Sequence, residues 1–399
     1  MVLDRALVIG ILLFQNVTTI DYMGPASYLE YLEPMVGQKT EFYTISEKSG
    51  GPIQPGHLSA VFALVGFEDA PRKWDVWIIP GGLGTAPASK NQKYLDYTRA
   101  AAESATDVLT VCTGSRILAN AGLLDGKKAR WVVDGKYWTS SGVMAGIDLG
   151  HAYISEKYGK DVAEKMSKTM EYVPNTDPSD DPFYYVTQGS PVPQTMKSPD
   201  PNDGPFRVGI LIYENTSTMD YSGLVNFLEL IKSMVGKKSE LYTIAEKAGG
   251  LGVDSVVENE KFMSYIRQTA EKATDVLTVA TGSRILGATG LLDGKKATTM
   301  KMEFGDIAAE YPDVNWVQQA RWVVDGKWWT SSGSASCMDM GRAYISAKYG
   351  EEMAKRMSEL GEYVAHTDPN DDPFAPGAKP VTSPAPSSSR PSKCKLKLV

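Results

Sequence analysis

The chain has 399 residues, enough for two domains of ordinary size, each burying its own core. With 42% hydrophobic and 22% charged residues it reads as globular, and a net charge of -7 with no basic run inside either repeat argues against nucleic acid as a partner. Its 3 cysteines follow no regular spacing, which excludes a disulfide framework and points to a reducing, cytoplasmic compartment.

Leu7 to Leu13 is an unbroken apolar run, fit for a strand covered on both faces. Asp4 and Arg5 precede it and the run is too short to span a bilayer, so it reads as a first buried strand, with no membrane partner. Gly24 to Val36 carries apolar residues at helical spacing, Phe42 to Ile45 is a short strand, and Val76 to Ile79 is another that ends at Pro80-Gly81-Gly82. Asn91 to Ala105 is helical, Val108 to Val111 a strand, Ser115 to Leu124 a helix, and Gly142 to Tyr158 a helix with a small-residue first turn. Further on, a strand near Ala297 to Met302, a helix to about Glu310 and a strand from Val314 continue the alternation. This order predicts an α/β fold: two tandem flavodoxin-like domains, each a mostly parallel sheet flanked by helices, with ligands at the C-terminal strand ends.

The tandem arrangement is visible directly. Thr106 to Lys128, TDVLTVCTGSRILANAGLLDGKK, recurs at Thr274 to Lys296 with four changes, one of which replaces Cys112 by Ala280. Residues 1–176 form the first repeat, 177–206 a Pro/Asp/Ser/Gly-rich linker, 207–375 the second repeat, and 376–399 a Pro/Ser-rich tail expected to be disordered. Asp21 aligns with Asp220, Cys112 with Ala280 and Trp138 with Trp329 at three different offsets. The second repeat therefore lacks a segment between Gly250 and Asn259, and the first lacks one between Ala129 and Arg130. The gaps fit an exchange of elements that completes one sheet, or segments skipped in the coding sequence. Tandem copies of this kind are expected to pair within the chain.

Cys112 ends a strand, and Thr113-Gly114-Ser115 opens the next helix. A helix N-terminus favours thiolate by at most about 2 kcal/mol, which predicts substantial but incomplete ionisation at neutral pH. The same cysteine also fits a small buried thiol with no chemistry. Asp21 would lie at the same sheet edge, either capping the Gly24 helix or, when protonated, donating to the sulfur. Glycines at 81 and 82 would let backbone N–H groups face a ligand. Thr139-Ser140-Ser141-Gly142 precedes a helix and could cap it or line a pocket. No histidine recurs between the repeats, so neither a Cys–His pair nor a metal cluster is supported, and Cys337 is expected to be inert.

The segment Asp21-Tyr22-Met23-Gly24-Pro25, the Pro80-Gly81-Gly82 turn, VCTGSRILANAGLL and ARWVVDGKYWTSSGVMAGID together resemble the ThiJ/PfpI family, whose fold is like that of class I glutamine amidotransferases. Cys-Thr combined with Asp-Tyr-x-Gly-Pro is most similar to the isonitrile hydratase branch. The resemblance implies a cofactor-free hydro-lyase acting on a small molecule, adding water to an isonitrile to give an N-substituted formamide. It implies Cys112 as nucleophile, Asp21 as proton donor and then water activator, and Thr113 beside them. Gly81, Gly82, Gly114, Thr139 and Ser140 would form the oxyanion and substrate pocket, with no metal. The alternatives are a non-catalytic tandem pseudo-dimer, with repeat two as a pseudoenzyme domain, and a glyoxalase or deglycase activity.

Overall fold

The structure, a computed structural model, describes residues 2–50, 52–53, 61–62, 64–71, 73–124, 130–183, 206–211, 220, 222–225, 227–228, 239–244 and 256–376. His57, most of the expected linker and nearly all of the expected tail lie outside these residues.

In repeat one the first strand, β1 (Leu7–Leu12), runs into α1 (Thr19–Glu30) and the short α2 (Leu32–Val36). Strand β2 (Thr40–Ser46) follows, then the minimal strands β3 (Pro52–Ile53), β4 (Val61–Phe62) and β5 (Val65–Gly66), and then β6 (Val76–Ile79). Helices α3 (Thr85–Ala88) and α4 (Gln92–Ser104) lead to β7 (Asp107–Val111) and α5 (Gly114–Asn120). The hairpin β8 (Trp131–Asp134) and β9 (Tyr137–Ser140) and the helices α6 (Val143–Tyr158) and α7 (Lys160–Thr169) close the repeat. The main sheet has the order β5-β2-β1-β6-β7-β9-β8, parallel throughout except for β8 against β9. Ile9, Ile11, Val76 to Ile79, Val108 and Leu109 are buried, as unbroken apolar runs between two helix layers require. The ordered chain continues past Thr176: Arg130 donates its backbone N–H to the Pro178 carbonyl at 3.1 Å, and Phe183 is buried.

Repeat two is less complete. Strands β10 (Phe206–Leu211) and β11 (Ser239–Ile244) pair with each other, and β12 (Val276–Val279) pairs with β16 (Trp328–Ser331), which pairs with β15 (Trp322–Asp325). In repeat one, β6 joins the equivalent halves by bonding to both β1 and β7. Repeat two lacks the segment that would supply this strand, and among the described residues its sheet is split at that point. The segment absent from repeat one is present here as β13 (Lys296–Ala297), a short 3-10 turn, a helix over Phe304–Glu310 and β14 (Asn315–Trp316). Among the described residues each strand pairs only within its own repeat, with no exchanged strand between the sheets. The apolar core nevertheless runs across both copies: Ile147, Met166 and Tyr172 belong to one cluster with Phe227, Met338, Met357 and Tyr363.

Candidate active site

The exits of β1, β6, β7 and β9 gather at one edge of the repeat-one sheet, where the crevice of an open α/β fold lies. Cys112 follows β7 directly and holds a left-handed backbone, φ 55, which an L-residue adopts at a cost of roughly 1–2 kcal/mol. Its N–H donates to the Ser140 carbonyl (3.1 Å), and its own carbonyl accepts from the Ser115 hydroxyl (3.1 Å). These bonds hold the bend and leave Cys112 half-buried as a residue, its sulfur turned inward. Cys337 by contrast is fully buried.

Asp21 lies within the first turn of α1, which starts at Thr19, earlier than the helical spacing from Gly24 predicts. Thr18, not Asp21, is the cap, so the capping alternative is set aside. The Asp21 carboxyl is fully buried; Oδ2 accepts from the Gly81 N–H at 3.0 Å, while Oδ1 has no partner among the described residues. A side chain added at Gly81 would strike Asp21 Oδ2, the Thr113 nitrogen and Thr113 Oγ1, each at 2.7 Å. Only a glycine lets β6, α1 and the cysteine turn converge there.

The electrostatics differ from the sequence expectation. Burial pushes the Cys112 thiol up, the nearby Asp21 carboxyl and the Glu362 carboxyl add to this, and bonds from Thr113 oppose it. These influences favour the neutral thiol over the thiolate, opposite to the pull expected of the helix terminus. Burial likewise holds the Asp21 carboxyl well above the usual carboxylate range, offset in part by the Gly81 bond and reinforced by Glu362. Two negative charges at one largely buried site are disfavoured, which favours a protonated Asp21 beside the sulfur.

The expected pocket residues take other parts. The Gly81 N–H is engaged by Asp21 and the Gly82 N–H by Thr113 Oγ1 (3.0 Å), so neither is held open for a ligand. Thr113 Oγ1 also meets Thr85 Oγ1 at 2.9 Å, tying the cysteine turn to α3. Gly114 packs against the carbonyls of Ile79 and Pro80, where a side chain has no room. The Ser140 hydroxyl bonds to the Thr110 carbonyl at 3.3 Å, and Thr139 sits mid-strand with Thr110 and Val132 as its register partners. Helix α6 is entered through Gly142 with no side-chain cap, so the hydroxyl run does not cap it.

One residue at the site comes from the other repeat. Glu362 accepts from the Ser141 hydroxyl at 2.8 Å and lies against Gly142, where any Cβ would collide with its carboxyl group. The contact spans 221 positions. The clue in the sequence is the matched pair Glu171-Tyr172-Val173 and Glu362-Tyr363-Val364, which pattern reading for nucleophiles passes over. The arrangement is reciprocal: Glu171 accepts from the Ser332 hydroxyl at 2.5 Å and packs on Gly333. Met144 N–H bonds to the Gly361 carbonyl (3.2 Å), and Ala335 N–H to the Met170 carbonyl (2.9 Å). The repeats thus touch through an isologous patch.

At the second site Ala280 keeps the left-handed bend, φ 49, with its N–H on the Ser331 carbonyl (3.1 Å) and its carbonyl on the Ser283 hydroxyl (3.0 Å). Asp220, raised to about 6 by burial, bonds to Ser334. The frame is copied and the sulfur is absent.

The chain is 32% identical over 191 residues to isonitrile hydratase of Pseudomonas putida, covering 42% of this chain and 80% of that protein. It is 25% identical over 336 residues to protein DJ-1 homolog A of Arabidopsis thaliana, covering 72% of this chain and 82% of that one. Among solved structures, a ThiJ/PfpI family protein from Pseudomonas syringae matches with 26% identity and a TM-score of 0.40, over 45% of this chain and 79% of that chain. The DJ-1/PfpI family model matches residues 8–130 and 247–347, one stretch in each repeat and together more than half the length: the chain belongs to the DJ-1/PfpI family.

Proposed function

We propose that repeat one is a cysteine-dependent lyase of isonitrile hydratase type, with repeat two as its non-catalytic partner. The observation that carries this reading is the cysteine on a strained bend beside a buried carboxyl that has one oxygen unpartnered among the described residues. The 32% identity to isonitrile hydratase supports the branch.

The chemistry needs a thiol, a protonated carboxyl and water. As the Cys112 sulfur bonds to the terminal isonitrile carbon, that carbon gains a proton from Asp21 and the thiol proton restores the carboxyl, leaving an S-linked thioimidate. The protonated Asp21 then gives its proton to the imine nitrogen while its other oxygen takes one from the water whose oxygen adds to the same carbon, leaving the acid as it was. Collapse breaks the C–S bond, returns the thiol with the hydroxyl proton and releases the N-substituted formamide. Asp21 fits both steps because burial holds it protonated at rest.

Formamide formation from an alkyl isonitrile by the full chain is the test. Cys112→Ala should abolish turnover, and Asp21→Asn should lower it by about 100-fold or more, the usual scale for a lost general acid–base. Turnover that survives in Cys112→Ala defeats the proposal. A second reading, a paired chain without catalysis, draws on Ala280 and on the segment absent between Ala129 and Arg130. A folded chain inert toward both isonitriles and methylglyoxal would favour it.

A further inference from the structure

We propose that the Cys112 site is composite: Glu362, contributed by repeat two and seated on Ser141 and Gly142, is a positioning residue for the chemistry of repeat one. The proposal rests on the reading of Cys112 as the reactive group, and it adds a residue from outside the nucleophile-bearing domain.

Four observations place Glu362 there. Its carboxylate accepts from Ser141 Oγ at 2.8 Å, and Ser141 adjoins Ser140, whose carbonyl holds the Cys112 N–H. Gly142 leaves the space the carboxylate fills, since any larger residue would displace it. Glu362 itself is held in the left-handed region, φ 51, like its counterpart Glu171 at 52. Each left-handed residue closes the helix before it, with the Tyr363 N–H on the Ser358 carbonyl and the Tyr172 N–H on the Ser167 carbonyl (both 2.8 Å), and this cap sends a carboxylate across the interface in both copies.

The fourth observation is an asymmetry. Glu171, at the silent site, accepts from the Lys301 N–H (3.1 Å), and the Lys301 ammonium lies close enough to favour its charge. That ammonium is itself paired with buried Asp372 at 3.0 Å. Lys301 belongs to the segment that repeat one lacks, so no residue of repeat one corresponds to it. Around Glu362 the titratable groups are Arg130, Asp181, Asp21 and Cys112. Burial pushes the Glu362 carboxyl up and Asp181 adds to this, while the Ser141 bond and Arg130, itself paired with Asp148 at 2.6 Å, draw it down. Among the described residues Glu362 thus bears on Asp21 and the thiol with an arginine, and no lysine, beside it. Its field favours the neutral thiol and the protonated Asp21, the resting state from which the proposed addition starts.

The test reads the thiol itself, in the full chain. The rate of iodoacetamide alkylation at the Cys112 peptide is followed against pH by mass spectrometry, which separates it from Cys337 and Cys394. Glu362→Gln keeps the shape and the bond to Ser141 but removes a negative neighbour. The profile should move to lower pH, with a rate at least about threefold higher below the midpoint, equivalent to half a pKa unit. The same shift should appear in the Asp21→Asn background, where the sulfur responds to Glu362 alone. Glu171→Gln makes the matching change at the silent site and should leave the Cys112 profile in place. Should Glu362→Gln fold poorly, Ser141→Ala, which frees the carboxylate without neutralising it, should move the profile the same way by less. Equal shifts in the two Gln variants, or none in either, would overturn the proposal. A chain inert toward isonitriles that still shows the Glu362-specific shift would defeat the hydration reading and support the composite site.

Discussion

A carboxyl sealed at the exit of β6 carries a stability cost as well as a chemical use. Burial keeps Asp21 protonated well above the ordinary carboxylate range. Above about pH 4, where the unfolded chain has released that proton, the native state still binds it, so this group's contribution to stability declines as pH rises. Asp21→Asn removes the titration while retaining an oxygen for the Gly81 N–H. The variant should therefore melt higher than the parent at about pH 8, with the gap closing toward about pH 4. Thermal melts across that range check it; a gap that widens in acid would contradict the argument. Much of this site could be read in the sequence: Cys112, Asp21 and the Gly81 turn each sit where a strand ends. Glu362 could not be read the same way, because its approach depends on how two distant copies pack. The fates of the Gly81 and Gly82 N–H groups were also hidden, since they turn on which acceptor lies within about 3 Å.

The hairpin and α6 are tied by a charge pair that each repeat carries. Asp148 accepts from Arg130 Nε (2.8 Å), the Tyr172 hydroxyl (2.7 Å) and the Asn175 N–H (2.8 Å). Asp339 does the same with Arg321 (2.7 Å), Tyr363 (2.5 Å) and the His366 N–H (2.8 Å). Both pairs are almost wholly buried. Removing one charge strands the other, at about 3–5 kcal/mol. Asp148→Asn should lower unfolding stability by that amount in denaturant titrations, and a loss below about 1 kcal/mol would show the pair to be unimportant. Strands β1, β6 and β7 were legible because chains buried on both faces leave unbroken apolar runs. The β8–β9 hairpin was missed although Asp134-Gly135, with Gly135 at φ 59, is a turn signal of its own. Helix α1 starts before its expected bound because it is buried nearly all round, so no polar face marks its first turn.

At the scale of the whole chain, the fold class and the duplication followed from the sequence, whereas the mode of pairing did not. Repeat two survives the loss of the strand equivalent to β6 with its halves packed on a core that continues into repeat one. The isologous patch should then be a point of weakness. Gly142→Ala and Gly333→Ala each force a methyl into a Glu carboxylate, and overpacking of this kind costs about 1–3 kcal/mol. Both variants should speed hydrogen exchange at the Met144 and Ala335 amides, whose bonds cross between the copies. Unchanged protection at both would mean the patch does not hold them together.

Ala280 shows what the bend itself requires. A methyl-bearing residue keeps the same left-handed turn and the same two supporting bonds as its cysteine counterpart. The junction between strand and helix therefore sets the contour, and the sulfur is a passenger on it. Chemistry can accordingly be surrendered through one side chain, with the bend underneath left as it was.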